Sequence, residues 1–211
     1  MSSPESNWSE RVYTFLHEKL EFIWYIMKLS VIFLLFSLPI ITAFASYGAV
    51  IRCIAEMRHN GYQPIFRLFW QYFKADGLKN SAVCAACAFL AVVLSTSGTY
   101  YFFLTAGSAL QYLTANGFAF LAFLNFSFFL CFPCINSLVC LPLHGVLSNT
   151  FRYIFVSIPA NIGLLLALCA VFFLVCLKPF LLVFAPLLLC FYGWLALACH
   201  EKRILYYMTA V

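Results

Sequence analysis

The polar positions of this chain are few and gathered, and the apolar positions between them come in long runs. Residues 22–55 form the first run, FIWYIMKLSVIFLLFSLPIITAFASYGAVIRCIA, interrupted only by Lys28 and Arg52. A bilayer core about 30 Å thick takes roughly 20 apolar residues of helix. This run is too long for one upright crossing and short for two. Pro39 sits at its middle, removes a backbone donor and clashes with the preceding turn, so a break near residues 37–39 is expected. The run is then either one kinked span or a hairpin. The two differ in where they leave the N-terminus.

Ahead of it, residues 7–21 alternate with a helical period: Val12, Phe15, Leu16 and Leu20 on one face, Glu10, Arg11, His17, Glu18 and Glu21 on the other. That predicts an amphipathic helix in the membrane interface, with Asn7 and Glu10 spaced as a capping box. Lys28, near the start of the first run, is expected to snorkel back to the headgroups.

Residues 56–80 are the long polar segment. Asn60-Gly61 marks a turn and Pro64 can open a helix. In that helix Phe66, Phe69, Trp70 and Phe73 share one face, with Arg67, Gln71 and Lys74 opposite. Rings at headgroup depth and cations toward lipid phosphates suit a helix lying in the interface. Arg52, Arg58, Arg67, Trp70, Lys74 and Lys79 are the candidate surface for lipid or a partner. Their basic excess predicts the cytoplasmic side.

No Asp, Glu, Lys or Arg follows Lys79 until Arg152. Spans are expected over residues 81–104 and 118–141. The uncharged loop between them, with Gly107, Asn116 and Gly117 as breakers, falls on the outer face. Residues 143–157 read as a return segment on the cytoplasmic side, 159–177 and 180–199 as further spans with a tight turn at Lys178-Pro179, and 200–211 as a basic cytoplasmic tail. Pro133 and Pro186 join Pro39 as expected kinks. The carbonyl freed by Pro133 needs a partner, for which Asn125, Ser127, Asn136 and Ser137 are nearest.

The expected fold is therefore all-α: a polytopic membrane bundle of about five spans, six if the first run is a hairpin, with one or two interfacial helices. It forms one integral membrane domain over residues 1–211. Composition agrees, with 65% apolar and 9% charged residues and a mean hydropathy of +0.97, far from soluble averages. The formal net charge of +5 fits anionic headgroups as a partner, and no basic cluster on a soluble domain points to nucleic acid. Residues 1–21 lack a short apolar core with a cleavage site, so the first run is expected to act as an uncleaved insertion signal.

Candidate chemistry is sparse. The ten cysteines lie mostly within apolar runs, where a thiol behaves as a small hydrophobe. They include two CxxC pairs, Cys84/Cys87 and Cys131/Cys134. A thiol oxidoreductase reading would use Cys131 and Cys134, but both fall mid-span with no cation nearby to stabilise a thiolate. His59, His144 and His200 are dispersed, so no metal site is expected. The Asn7 and Asn125 sequons carry no functional reading. With no acidic residue between Asp76 and Glu201, a proton-driven carrier is disfavoured. A small-solute permease would need Asn125, Asn136 or Asn161 to meet in a polar cavity. No catalytic constellation is present, and neither enzyme nor cofactor is expected.

The run LLFSLPIITAFASYGAVIR and then PIFRLFWQYFKADGLKN resembles the N-terminal half of YesL-type bacterial membrane proteins. Pro39, Thr42, Pro64, Phe66, Phe69, Trp70, Phe73 and Lys74 carry the likeness, with Phe132-Pro133 and Pro186 adding to it. The chain departs from that pattern in Phe44-Ala45-Ser46, where the family often has Gly, and in its dense cysteines. The resemblance implies a multi-pass protein of the bacterial cytoplasmic membrane with no assigned activity and no established functional residues. It also implies an accessory or regulatory role near carbohydrate uptake, in company with a transporter or other membrane protein, because such genes often lie beside carbohydrate-uptake genes.

Overall fold

The structure, a computed structural model, describes residues 4–103, 108–139, 141–178 and 184–209. Six helices account for nearly all of them: α1 (Pro4–Ser37), α2 (Ile40–Asn60), α3 (Ile65–Phe103), α4 (Ala109–Leu138), α5 (Leu143–Leu177) and α6 (Ala185–Thr209). No strand occurs among the described residues. Four helices are long and apolar enough to cross a membrane: α3, α4, α5 and the Glu10–Ser37 part of α1.

The first apolar run breaks where proline predicts. Pro39 is the N-cap of α2 in extended backbone. Thr42 repairs the break. Its Oγ1 lies 2.6 Å from the Phe36 carbonyl and 2.8 Å from that of Pro39, and its N–H donates to Pro39 at 2.9 Å. The hydroxyl proton thus serves the Phe36 carbonyl, left over by the end of α1 and beyond the reach of lipid to satisfy, while the Pro39 carbonyl already accepts the Thr42 N–H. The chain then turns back. The Tyr25 hydroxyl donates to the Cys53 carbonyl at 3.4 Å, so α1 and α2 pair antiparallel about Pro39. The first run is a hairpin.

At its other end α2 stops at Gly61, the residue with positive φ (77°), whose N–H returns to Met57 at 3.1 Å. A left-handed cap favours glycine because a Cβ is strained there. After the short link to Pro64, α3 runs antiparallel to α2. Two small contacts hold them together: Gly48 lies against Asn80, and Gly77 against Ala45.

That register sets the depth of the hairpin. From Gly48 to Pro39 is nine residues, about 14 Å of helix; from Asn80 to Phe103 is 23, about 35 Å. The hairpin's turn therefore falls at least roughly 20 Å short of the far end of α3. Six helices meet only in the half that carries the charges. There the core gathers Leu29, Val50, Ile51, Ile54, Phe69, Leu130, Phe132, Tyr153 and Leu197. Beyond the turn α3 buries Leu94 and α4 buries Ala115, while Phe102, Phe103, Leu113, Phe172 and Phe173 are exposed.

Several expected boundaries are corrected. α1 starts at Pro4, so Asn7 lies inside a helix and cannot cap one; the amphipathic 7–21 stretch continues unbroken into the first apolar run. The aromatic-basic helix expected over residues 64–76 is likewise the first third of α3, continuous with the 81–104 span. α4 begins at Ala109, nine residues earlier than expected, because Ser108 and Gln111 form a capping box that outweighs Asn116 and Gly117. The 143–157 return segment and the 159–177 span are one helix with Pro159 inside it. Pro186 sits in the first turn of α6, where a missing N–H costs nothing, so it opens a helix instead of kinking one. Gly107, Pro179 and the start of the expected 180–199 span lie outside the described residues.

Candidate functional site: the charged end of the bundle

The N-terminal part of α1, the α2–α3 and α4–α5 connections and the end of α6 lie together at one end of the bundle. Beyond Lys79 in α3, throughout α4 and after Arg152 in α5 there is no Asp, Glu, Lys or Arg until Lys178. The chain therefore has a charged end and a long apolar remainder.

Part of the charge there is spent between helices. Arg52 of α2 pairs with Asp76 of α3, and Lys79 stands 3.8 Å from the same carboxylate. Arg52 also lies over the Tyr72 ring at 4.6 Å, and the Tyr72 hydroxyl donates to Glu56 at 3.3 Å. At the end of α2, Arg58 and His59 meet Glu201 of α6 at 2.6 and 3.0 Å. The Glu201 side chain is 9% exposed, and these contacts tie the last turn of α2 to the tail of α6. Removing one partner of such a pair leaves the other charge uncompensated in a buried setting, which costs more than the pair itself gains.

Beside it, the Tyr153 hydroxyl reaches His200 Nδ1 at 3.2 Å and the His200 carbonyl at 3.4 Å. Both distances are met when Nδ1–H donates to the hydroxyl and the hydroxyl donates to the carbonyl. His200 follows the apolar part of α6 and is fully buried. Burial first, and then the neighbouring Arg203, push its pKa down to about 4, so the ring is neutral at pH 7.

Of the six candidate surface residues, three are thus committed internally: Arg52, Arg58 and Lys79. Arg67 and Lys74 stay exposed and, among the described residues, form no ion pair. Lys74 lies over the Trp70 ring at 4.7 Å. Trp70, Phe69 and Phe73 close around Phe36 of α1 at 5.3–5.6 Å between centroids. The aromatic face of the segment is therefore partly turned to α1 and not wholly to lipid. Sequence reasoning did not foresee this, because periodicity gives the face but not its neighbour.

The intramembrane polar groups do not converge. Asn136 donates to Asn80 at 3.3 Å, Asn125 to the Cys87 carbonyl at 2.9 Å, and Asn161 to Ser157 at 2.9 Å. Ser137 returns to the Cys134 carbonyl at 2.8 Å. The Ser127 hydroxyl has no partner among the described residues. None of the four groups near Pro133 turns to the carbonyl that proline frees, so that expectation is not met.

Cys131 and Cys134 are buried free thiols. Cys131 Sγ faces Ser157 at 3.6 Å and Asn161 at 3.7 Å, a neutral packed setting. Among the described residues no group of three metal-ligating side chains occurs.

Two cavities open on the flank. One, about 680 Å³, is an apolar cleft between α3, α4 and α5, floored by Leu121, Asn125 and Phe128. The other, about 860 Å³, lies between α1 and the start of α3 and mixes charged, aromatic and aliphatic walls.

The family model described as "Protein of unknown function, DUF624" matches residues 23–97, about a third of the chain. The matched stretch covers the apolar part of α1, the turn at Pro39, all of α2 and most of α3. The Thr42 bridge, the Gly48–Asn80 contact, the Arg52–Asp76 pair and most of the second cavity's wall fall within it. No curated protein matches the chain, and no solved structure does.

Proposed function

We propose that this is a non-catalytic, multi-pass component of the bacterial cytoplasmic membrane that acts through a partner membrane protein, in carbohydrate uptake or utilisation. One observation carries the first part. The polar groups inside the bundle do not converge: Asn136 and Asn125 bond across helices, Asn161 and Ser137 within their own, and among the described residues they line no common passage, which leaves the outward surfaces to do the work. Arg67 and Lys74 at the charged end, and the lightly covered outer halves of α3, α4 and α5, are the surfaces a partner would use. The link to carbohydrate rests on the likeness to YesL-type proteins.

The same reading gives a topology. The α1–α2 hairpin enters from the cytoplasmic side and turns inside the apolar layer, α3 to α6 cross, and both termini are cytoplasmic. Basic excess at the charged end supports that orientation. A hairpin that stops short explains a run too long for one crossing and too short for two.

Affinity purification from native membranes, with quantitative mass spectrometry, tests the reading. A membrane protein should co-purify in near-stoichiometric amount, and the Arg67→Glu/Lys74→Glu variant should lose it. Purified protein that by itself carries solute across proteoliposomes would overturn it in favour of a permease.

A further inference from the structure

The cavity between α1 and the start of α3 combines features that are usually separate. Its volume is about 860 Å³, and its walls include Lys28, Arg67, Glu21, Trp24, Val31, Ile32 and Phe66. Lys28 and Arg67 are exposed, and neither forms an ion pair among the described residues. The Lys28 ammonium stands 4.9 Å from the centre of the Trp24 ring, which holds the cation at the cavity and costs it none of its charge. Beyond Lys28 the α1 wall turns aliphatic through Val31 and Ile32, and the α3 side contributes the Phe66 ring next to Arg67. Its lining runs across the border between the charged end and the apolar run, from Glu21 and Lys28 to Val31 and Ile32.

Two cations above an aliphatic wall, at that border, match a glycerophospholipid: phosphate among the cations and an acyl chain along the helix. Arg67 brings a planar fork that suits phosphate oxygens. Glu21 adds one negative charge at the rim, which lowers the net charge of the site to +1. That favours a monoanionic phosphodiester over a dianionic phosphomonoester. We infer that this cavity is a binding site for one anionic phospholipid of the leaflet at the charged end, held through its phosphate by Lys28 and Arg67.

The neighbouring contacts give the site a structural consequence. Tyr25 and Tyr62, on its inner wall, stand 5.6 Å apart between ring centres, and the Tyr62 hydroxyl reaches the Glu18 carbonyl at 3.4 Å. The cavity thus separates part of α1 from the start of α3, and the two helices meet at Phe36. A lipid there fills a gap between the hairpin and the rest of the bundle and stabilises the native state by mass action.

The test uses the full chain, delipidated in mild detergent, with dioleoyl phosphatidylglycerol, phosphatidic acid or phosphatidylcholine added, read by native mass spectrometry and thermal unfolding. Phosphatidylglycerol should bind one per chain and raise Tm. Phosphatidylcholine should bind at least about tenfold more weakly. The Lys28→Gln/Arg67→Gln variant should lose about tenfold in affinity for phosphatidylglycerol, with Lys202→Gln as the unchanged control. Val31→Trp, which keeps the cations and fills the aliphatic part, should also weaken binding. Both sites are exposed, so folding is preserved; the unliganded Tm checks it. Equal binding of phosphatidylcholine, or an unaltered double variant, overturns the inference. So does displacement of the lipid by inorganic phosphate alone, since that would leave the acyl chain no part in recognition. Tighter binding of phosphatidic acid would overturn the role given to Glu21.

Discussion

Gly48 of α2 and Asn80 of α3 touch so closely that a Cβ on residue 48 would fall 2.6 Å from Asn80 Cγ. Asn80 cannot simply swing aside. It is 3% exposed and accepts a hydrogen bond from Asn136 of α4 at 3.3 Å. One glycine therefore sets the approach of three helices.

Gly48→Ala should destabilise the protein by about 1–3 kcal/mol, the usual cost of overpacking, even though alanine is the better helix former. In an Asn80→Ala background the same change should be neutral or stabilising. Thermal unfolding of the two singles and the double in one detergent gives the coupling. Additive effects would show that the contact does not govern the packing.

The Arg52–Asp76 pair joins the same helices nearer the charged end. Its side chains are 24% and 11% exposed, so removing one partner should cost about 2 kcal/mol, below the value for a fully buried pair. Asp76→Ala should lower Tm by more than the Arg52→Ala/Asp76→Ala double variant does, because only the single variant leaves the largely covered Arg52 guanidinium without its carboxylate; the more exposed Lys79 loses that partner in both.

Thr42 bridges the break at Pro39. Thr42→Val keeps shape and removes the hydroxyl, leaving the Phe36 carbonyl without that partner, and should cost about 1–3 kcal/mol. Thr42→Ser should behave nearly as the native chain. Loss of both alike would mean that the methyl group and not the hydrogen bond matters.

His200 predicts a pH dependence. Its folded pKa, about 4, lies below the ordinary histidine value, so between those two values the unfolded chain binds more protons. Stability should be fully present above about pH 6.5 and fall as pH drops toward 4. His200→Gln should flatten that part of the Tm-against-pH curve. An unchanged slope would assign the acid sensitivity to other groups.

Much of the fold was legible in the chain. Pro39 announced the break, Asn60-Gly61 the turn and Pro64 the start of α3, because proline and glycine act on local backbone and need no neighbours. The polar stretches were harder. Residues 65–80 and 143–157 run on into the apolar stretches after them, because a helix can pass unbroken from interface to apolar layer. Gly77 sits inside α3 for packing against Ala45 and not as a stop. The Ser108–Gln111 box was readable, but Asn116-Gly117 after it drew the boundary elsewhere. The site was legible as charge and not as pairing: nothing local tells that Glu201 closes on Arg58 and His59.

The turn of the α1–α2 hairpin inside the apolar layer is the claim most directly measured. Cysteines introduced one at a time at Glu18, Ser37, Lys178 and Lys202, in a chain with Cys140, Cys169, Cys176 and Cys199 changed to serine and the buried native thiols kept, can be probed with a membrane-impermeant maleimide in sealed inverted and right-side-out vesicles. The account predicts that Glu18→Cys and Lys202→Cys label from one side, Lys178→Cys from the other, and Ser37→Cys from neither. Labelling of Ser37→Cys from the Lys178 side would show a hairpin that crosses completely. Labelling of Glu18→Cys from that side would show a single crossing, and either result would contradict it.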